Sequence, residues 1–311
     1  MPMTPGRSST TPPMQRSAFW SYLVLGGGVL SLGFSPIFIR WADAPGTVTS
    51  MYRMAFAALA LAVPFLHTLR RIRNFPRHAL WMTICGGFFF ALDIGFWSTG
   101  VVLGGATNPT LLDTIAPLRV GLFSVLFFKQ HLGKRFWIGL AIALAGAVVI
   151  LGFDLQTDLR QAQGALLGLI GGIFYGGYVM FIERGRAGLG ALACFWISTA
   201  SAAFFLLLFN IAAGHALSGY DSETMLAFLG AGLLNQIGGF LSVTFALGYL
   251  PSTIVSPALL IQPLAVAFLA GPLLNERIHR WQIPGGAAVL FGLYLIQRSQ
   301  SRTAPPPSSA D

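Results

Sequence analysis

Short polar breaks divide this 311-residue chain into ten apolar runs, each near the roughly 20 residues an α-helix needs to cross a bilayer core of about 30 Å. They cover residues 19–39, 47–66, 79–103, 106–128, 136–153, 163–182, 188–214, 224–250, 252–274 and 281–297. A backbone in hydrocarbon has to bond its own N–H and C=O groups, so runs of this length predict helices. The chain is read as an all-α integral membrane protein with ten transmembrane helices. Only 9% of residues are charged, against roughly 25% in ordinary soluble domains, which excludes a soluble globule. Two breaks, Gly104-Gly105 and Pro251, are so short that they predict tight helical hairpins. The segments 1–18 and 298–311 are rich in Ser, Thr and Pro and are predicted to be disordered tails.

The first run follows Arg7 and Arg16 and precedes Ala42-Asp43-Ala44, a pattern that also fits a cleaved signal peptide. Its 21 residues exceed the roughly 7–15 of a signal peptide core, so it reads as a first transmembrane helix. The net charge of +9 would suggest a nucleic-acid partner, but its sources lie between the runs. With the N-terminus inside, thirteen Lys and Arg fall on the cytoplasmic side, in the tails and the loops around Arg71, Lys134 and Arg184. Four fall on the far side: Arg40, Arg160, Arg277 and Arg280. This asymmetry places both termini in the cytoplasm and removes the need for a polyanionic partner.

Shifting the chain by 146 residues brings Ala116-Pro117-Leu118 onto Gln262-Pro263-Leu264, Gly139 onto Gly285 and Gly146 onto Gly292, without a gap. Lys129-Gln130-His131 falls on Asn275-Glu276-Arg277 in the same register. Two tandem units follow, residues 19–153 and 163–297. Each has five helices, an odd number, so the second copy enters the membrane upside down, as in secondary transporters built from inverted repeats. Arg53 within the second run, Ala116-Pro117-Leu118 in the fourth, Asn275-Glu276-Arg277 closing the ninth, and Gly285, Gly286 and Gly292 in the last are shared with a known family. On these residues, over about 20–297, the chain resembles the EamA-type transporters of the drug/metabolite transporter superfamily. One position departs from the pattern: the first copy has Gln130-His131 where the second has Glu276-Arg277.

Four charged residues lie inside runs: Arg53, Asp93, Asp113 and Arg119. Isolated at helix centres they would cost roughly 2.5–3.5 kcal/mol each, about 10–14 kcal/mol together, so they are expected to avoid lipid. Asp113 and Arg119 are six residues apart, about 240° around a helix, and should not pair with each other. Depth in the runs suggests two cross-helix pairs, Arg53 with Asp113 and Asp93 with Arg119. Such pairs either lock the first unit together or present a charge to a substrate cavity. Asp93 and Asp113 are candidates for proton coupling.

The second unit offers amides instead: Asn235 and Gln262 near mid-run, with Gln236 next to Asn235 and Asn210 nearer the end of the seventh run. These either bond between helices or line the same cavity. Trp97, Tyr175 and Tyr178 combine a polar atom with an intramembrane position, so they are read as cavity walls or core packing. Gly164, Gly168, Gly172 and Gly176 form a repeated small-residue face on the sixth run, either an internal packing surface or the seam of a homodimer.

Cys85 and Cys194 each lie inside an apolar run and supply no disulfide framework. The five histidines lie in or beside loops with no HExxH, so no metal site is expected, and without a Walker motif neither is ATP hydrolysis. No cofactor is expected. The leading reading is a secondary transporter in the inner membrane, working by alternating access on a small-molecule substrate. The family resemblance implies amino acids, their derivatives or similar metabolites, often moved outward. The alternative is an integral membrane enzyme acting on lipid-linked substrates, which would need an interfacial cluster that the loops are too short to hold.

Overall fold

Hydrocarbon leaves a backbone one economical way to satisfy its hydrogen bonds within a single segment, and all regular structure among the described residues of the computed structural model is helical. The structure describes residues 14–70, 76–114, 133–186, 188–247, 255 and 258–300. The first half contains α1 (Met14–Gly33), α2 (Ser35–Trp41), α3 (Gly46–Ala60), α4 (Ala62–Leu69), α5 (Arg77–Gly104), α6 (Thr107–Asp113) and α7 (Lys134–Thr157). The second contains α8 (Leu159–Arg186), α9 (Ala191–Ala212), α10 (Ser222–Gly230), a π-helical segment (Ala231–Leu241), α11 (Ser242–Leu247), α12 (Ile261–Leu274) and α13 (Gln282–Gln300).

Among the described residues, six helical segments are long and apolar enough to cross a membrane: Trp20–Trp41 through α1 and α2, α5, α7, α8, α9, and Ser222–Leu241. A seventh results if α3 and α4, which meet at 53°, are one bent span. Of the expected fourth span only α6 is described, and of the ninth only Val255 and the stretch from 258 through α12. Arg119, Ala116-Pro117-Leu118 and the Pro251 hairpin lie outside the described residues.

Two of the helix breaks follow from proline chemistry. Pro64 has no N–H, and its ring crowds the Ala60 carbonyl, which ends α3 and starts α4 at Leu61. Pro36 acts in the same way at the start of α2, one turn beyond the end of α1. The Gly104-Gly105 turn is tight as expected, with Gly105 at φ +87° and a Glu276 carboxylate oxygen filling the space a Cβ would need.

Glycine also sets how closely the helices approach. A Cβ on Gly139 would lie 2.6 Å from the Gly292 carbonyl oxygen, and one on Gly146 would lie 2.5 Å from that of Gly285. The shift of 146 residues carries Gly139 to Gly285 and Gly146 to Gly292, so each glycine meets the counterpart of the other. Helices α7 and α13 therefore cross antiparallel, around a core of Ala143, Ala147, Ile150, Val289, Leu293 and Ile296. On α8, Gly164 packs against Gly100 and Gly104 of α5, and Gly168 against the backbone of Pro109. That part of the small-residue face is an internal seam. Large apolar side chains such as Leu59, Trp81 and Phe268 point outward, as a lipid-facing surface requires.

Gly146→Val should destabilise the protein by about 1–3 kcal/mol, because the side chain has to displace helix backbone. Gly152→Ala, on the same helix with nothing within 4 Å of its Cβ position, should match or exceed wild-type stability. Thermal unfolding in detergent compares the two directly.

Candidate functional site

Arg53 is 2% exposed, halfway along α3 in an apolar bundle, and its charge has to be met by polar groups. Its Nε donates to Gln236 Oε1 at 3.1 Å and a terminal nitrogen donates to Ser35 Oγ at 2.6 Å. The guanidinium carbon lies 5.8 Å from the centroid of Phe240, within cation–π range. Asp93 is the carboxylate that acts on this charge through space. Ser35 is delivered by the proline break that starts α2, and Gln236 by the π-helical segment, whose wider turn is a feature often found at functional sites.

Arg53, Ser35, Phe240 and Asp93 border a cavity of about 230 Å³. Arg53, Asp93, Trp97, Asp113, Tyr175 and Gln262 all line it. Asp93 and Asp113 both lie close enough to Tyr175 to act on its hydroxyl electrostatically. The Trp97 indole N–H donates to Thr110 Oγ1 at 3.2 Å, which fixes the ring against α6. Four pairs of lining residues are related by the shift of 146: Ile94 and Phe240, Trp97 and Val243, Asp113 and Leu259, Thr114 and Leu260. Corresponding backbone positions of both halves thus wall one cavity, while charge and indole come from the first half.

Six of the nine residues singled out from sequence meet at this cavity, and Arg119 lies outside the described residues. Tyr178 does not line it; its ring stacks on Phe90 with centroids 4.6 Å apart, as core packing. Asn235 is also absent from the walls: it is fully buried in the π-helical segment, and neither side-chain amide atom has a hydrogen-bond partner among the described residues. The expected pair of Arg53 with Asp113 is replaced by the bonds to Ser35 and Gln236, with Asp93 nearby. The reason is packing, since α3 lies chiefly against α9, α5 and the π-helical segment whereas α6 packs chiefly on α8. Asn210 acts as interhelical glue, accepting from Thr47 Oγ1 at 2.7 Å and donating to the Thr47 carbonyl at 3.2 Å.

A second, polar cavity of about 200 Å³ lies at the end of the bundle that carries Arg40 and Arg277. Glu276, just beyond α12, accepts from the Ala106 backbone N–H at 2.5 Å and from Thr107 Oγ1 at 2.8 Å, joining the second half to the start of α6. Asp154 is fully buried at the end of α7 and accepts from Asn108 Nδ2 at 2.6 Å and from the Trp281 indole at 3.0 Å. Sequence reading ends the fifth run at 153 and so treats Asp154 as a loop residue. The signal for it was one helical turn of extra length. Among the described residues no three His, Cys, Asp or Glu side chains are grouped to hold a metal ion.

A family model described as the EamA-like transporter family matches the chain twice, over residues 19–152 and 162–298. The uncharacterized transporter YdfC of Bacillus subtilis (strain 168) is 20% identical over 247 residues, covering 78% of this chain and 79% of that protein. A solved structure titled only "Crystal structure of protein" superposes with a TM-score of 0.59 at 16% identity, covering 92% of this chain and 99% of the other. That likeness concerns the fold.

Removing one partner of a buried cation leaves part of it unsatisfied. Gln236→Leu and Ser35→Ala should each lower stability by about 1.5–3 kcal/mol. Combined with Arg53→Leu, either loss should shrink well below the sum of the single effects, because the charge that needed the bond is gone. Unfolding of the three single and two double variants gives the coupling.

Proposed function

The chain belongs to the EamA-like transporter family of the drug/metabolite transporter superfamily, as a multi-pass membrane protein and not an enzyme, and from that premise we propose what it carries and how. Its substrate is a small organic metabolite, an amino acid or a related compound, moved outward across the inner membrane by alternating access. The central cavity is the observation that carries this reading. Its volume of about 230 Å³ corresponds to about seven or eight waters, below the roughly 300–1,000 Å³ of drug-sized sites. Of the five N–H donors of Arg53, two go to Ser35 and Gln236, which leaves capacity for the carboxylate of a solute. Asp93 and Asp113 offer acceptors for its amine, and Trp97 and Tyr175 cover its carbon skeleton.

The ten-span, inverted architecture belongs to the same proposal. Crossed glycine contacts between α7 and α13, and lining pairs related by the shift of 146, are what a two-fold relation between the halves would produce. A substrate site on such an axis can be exposed to either side by rocking one half against the other. The arginine asymmetry of the loops supports cytoplasmic termini. Asp93 or Asp113 would supply proton coupling.

The test is untargeted mass spectrometry of medium and cytosol from cells making the intact chain, Arg53→Ala, or neither. One compound class should accumulate outside, or drain from the cytosol, only with the intact protein, while Arg53→Ala reaches the membrane in equal amount. Compounds leaving the medium would reverse the direction, and identical profiles in all three would remove the reading. For coupling, Asp93→Asn and Asp113→Asn are compared in vesicles with an imposed pH gradient. At least one should lose gradient-driven transport while exchange without a gradient persists.

A further inference from the structure

The polar cavity at the Arg40 and Arg277 end has walls of unequal chemistry. On its inner side, Asn108 is 2% exposed, and its Oδ1 has no hydrogen-bond partner among the described residues. The amide orientation is set by Asp154, which takes the Nδ2 hydrogen bond at 2.6 Å and leaves the oxygen as an acceptor. Gln161, in the first turn of α8, contributes a second buried oxygen with no partner among the described residues. The Asp158 carboxylate caps that turn by accepting from the Arg160 N–H at 2.9 Å, and it borders the same space. The exposed rim carries the guanidinium groups of Arg40 and Arg277.

Buried acceptors without donors are costly, because each has given up water and received nothing in exchange. A bound group with several N–H donors would satisfy both amide oxygens at once. A protonated amine has three such donors and a positive charge that Asp158 and Glu276 favour. A bare cation would be opposed by the two rim arginines, whereas a solute that also carries an anionic group would meet them with it.

We propose that this cavity is a second binding site, for a small zwitterion whose ammonium group bonds Asn108 Oδ1 and Gln161 Oε1 and whose anionic group faces Arg40 and Arg277. Its position makes it a station on the way to or from the central cavity. Asn108 lies five residues before Asp113 on α6, about 7.5 Å along the helix axis. Between these two residues on α6, Thr110 accepts the Trp97 indole N–H. The role in transit rests on the proposed transport function; the binding chemistry rests on the residues of this cavity alone.

The experiment places a cysteine on the wall without touching the acceptors. Leu103→Cys, partly exposed at the cavity edge, is made with Cys85→Ala and Cys194→Ala, and the rate of modification by a charged thiol reagent is measured in detergent. A mixture of the common L-amino acids should slow labelling. Acetate with methylammonium, which offers the two charges unjoined, should not, and nor should glycine betaine, a zwitterion with no N–H. In Gln161→Met the concentration for half-protection should rise about tenfold, the loss of one charge-assisted hydrogen bond, while Gln161→Glu keeps an acceptor and keeps protection.

Absence of protection by amino acids, equal protection by glycine betaine, or an unchanged response in Gln161→Met would each overturn the site. Protection in a protein that transports nothing would sustain the site and remove the transport reading. Transport without protection would do the reverse.

Discussion

Taking a guanidinium out of water costs several kcal/mol unless hydrogen bonds replace its hydration, and Arg53 meets that condition through two irregularities in the helices around it. Ser35 reaches it because Pro36 breaks the first span at the depth of the charge. Gln236 reaches it because the chain is π-helical from Ala231 to Leu241, which turns the amide inward. A regular α-helix in either place would present a different face to α3. The two partners come from opposite halves of the chain, so the same cation that demands them also ties the halves together. A purely structural role would be better served by an apolar residue, since buried ionic groups can often be replaced by packed hydrophobic side chains at no loss of stability. The retention of Arg53 is in that sense an argument for a cavity that uses it.

The frame that carries the charge is close to symmetric, but the chemistry hung on it is not. Glycines at 139, 146, 285 and 292 allow α7 and α13 to touch backbone to backbone, and without a hydrophobic driving force in lipid such close packing is a main source of helix association. Equivalent positions then line the central cavity together. Where the first half has Asp113 and Trp97, the second has Leu259 and Val243. Duplication accounts for the shared backbone positions. A solute with a polar and an apolar end would be oriented by a cavity of this kind, since only one wall carries charge.

The helical class, the duplicated pattern and the internal charges were legible because lipid makes each of them expensive to have by accident. Arg53, Asp93 and Asp113 could be read as avoiding lipid, and they do meet at one cavity. Their pairing could not be read, because depth along a helix says nothing of azimuth: α3 turns Arg53 toward α2 and the π-helical segment rather than α6. Asn235 and Tyr178 share a face pattern with true lining residues, and only the packing of neighbouring helices separates buried from cavity-lining. Asp154 and Asn108 were missed for another reason. Both sit at span ends, where a polar residue is usually solvated. Here the ends of α6, α7 and α13 close over them.

Helix α6 is the element both cavities share, with Asn108 at one and Asp113 at the other. It is only seven residues long, and the groups that hold its first turn lie elsewhere in the chain: Glu276 from the second half, Asp154 from the end of α7. Any displacement of α6 relative to the second half has to release the Glu276 bonds to Ala106 and Thr107. The shift of 146 puts Gln130 at the position equivalent to Glu276, a neutral amide in place of a carboxylate. Hydrogen bonds to an ionised acceptor are roughly twice as strong as those between neutral groups. The Glu276 carboxylate therefore holds Ala106 and Thr107 more firmly than the amide at the equivalent sequence position would hold the same two groups.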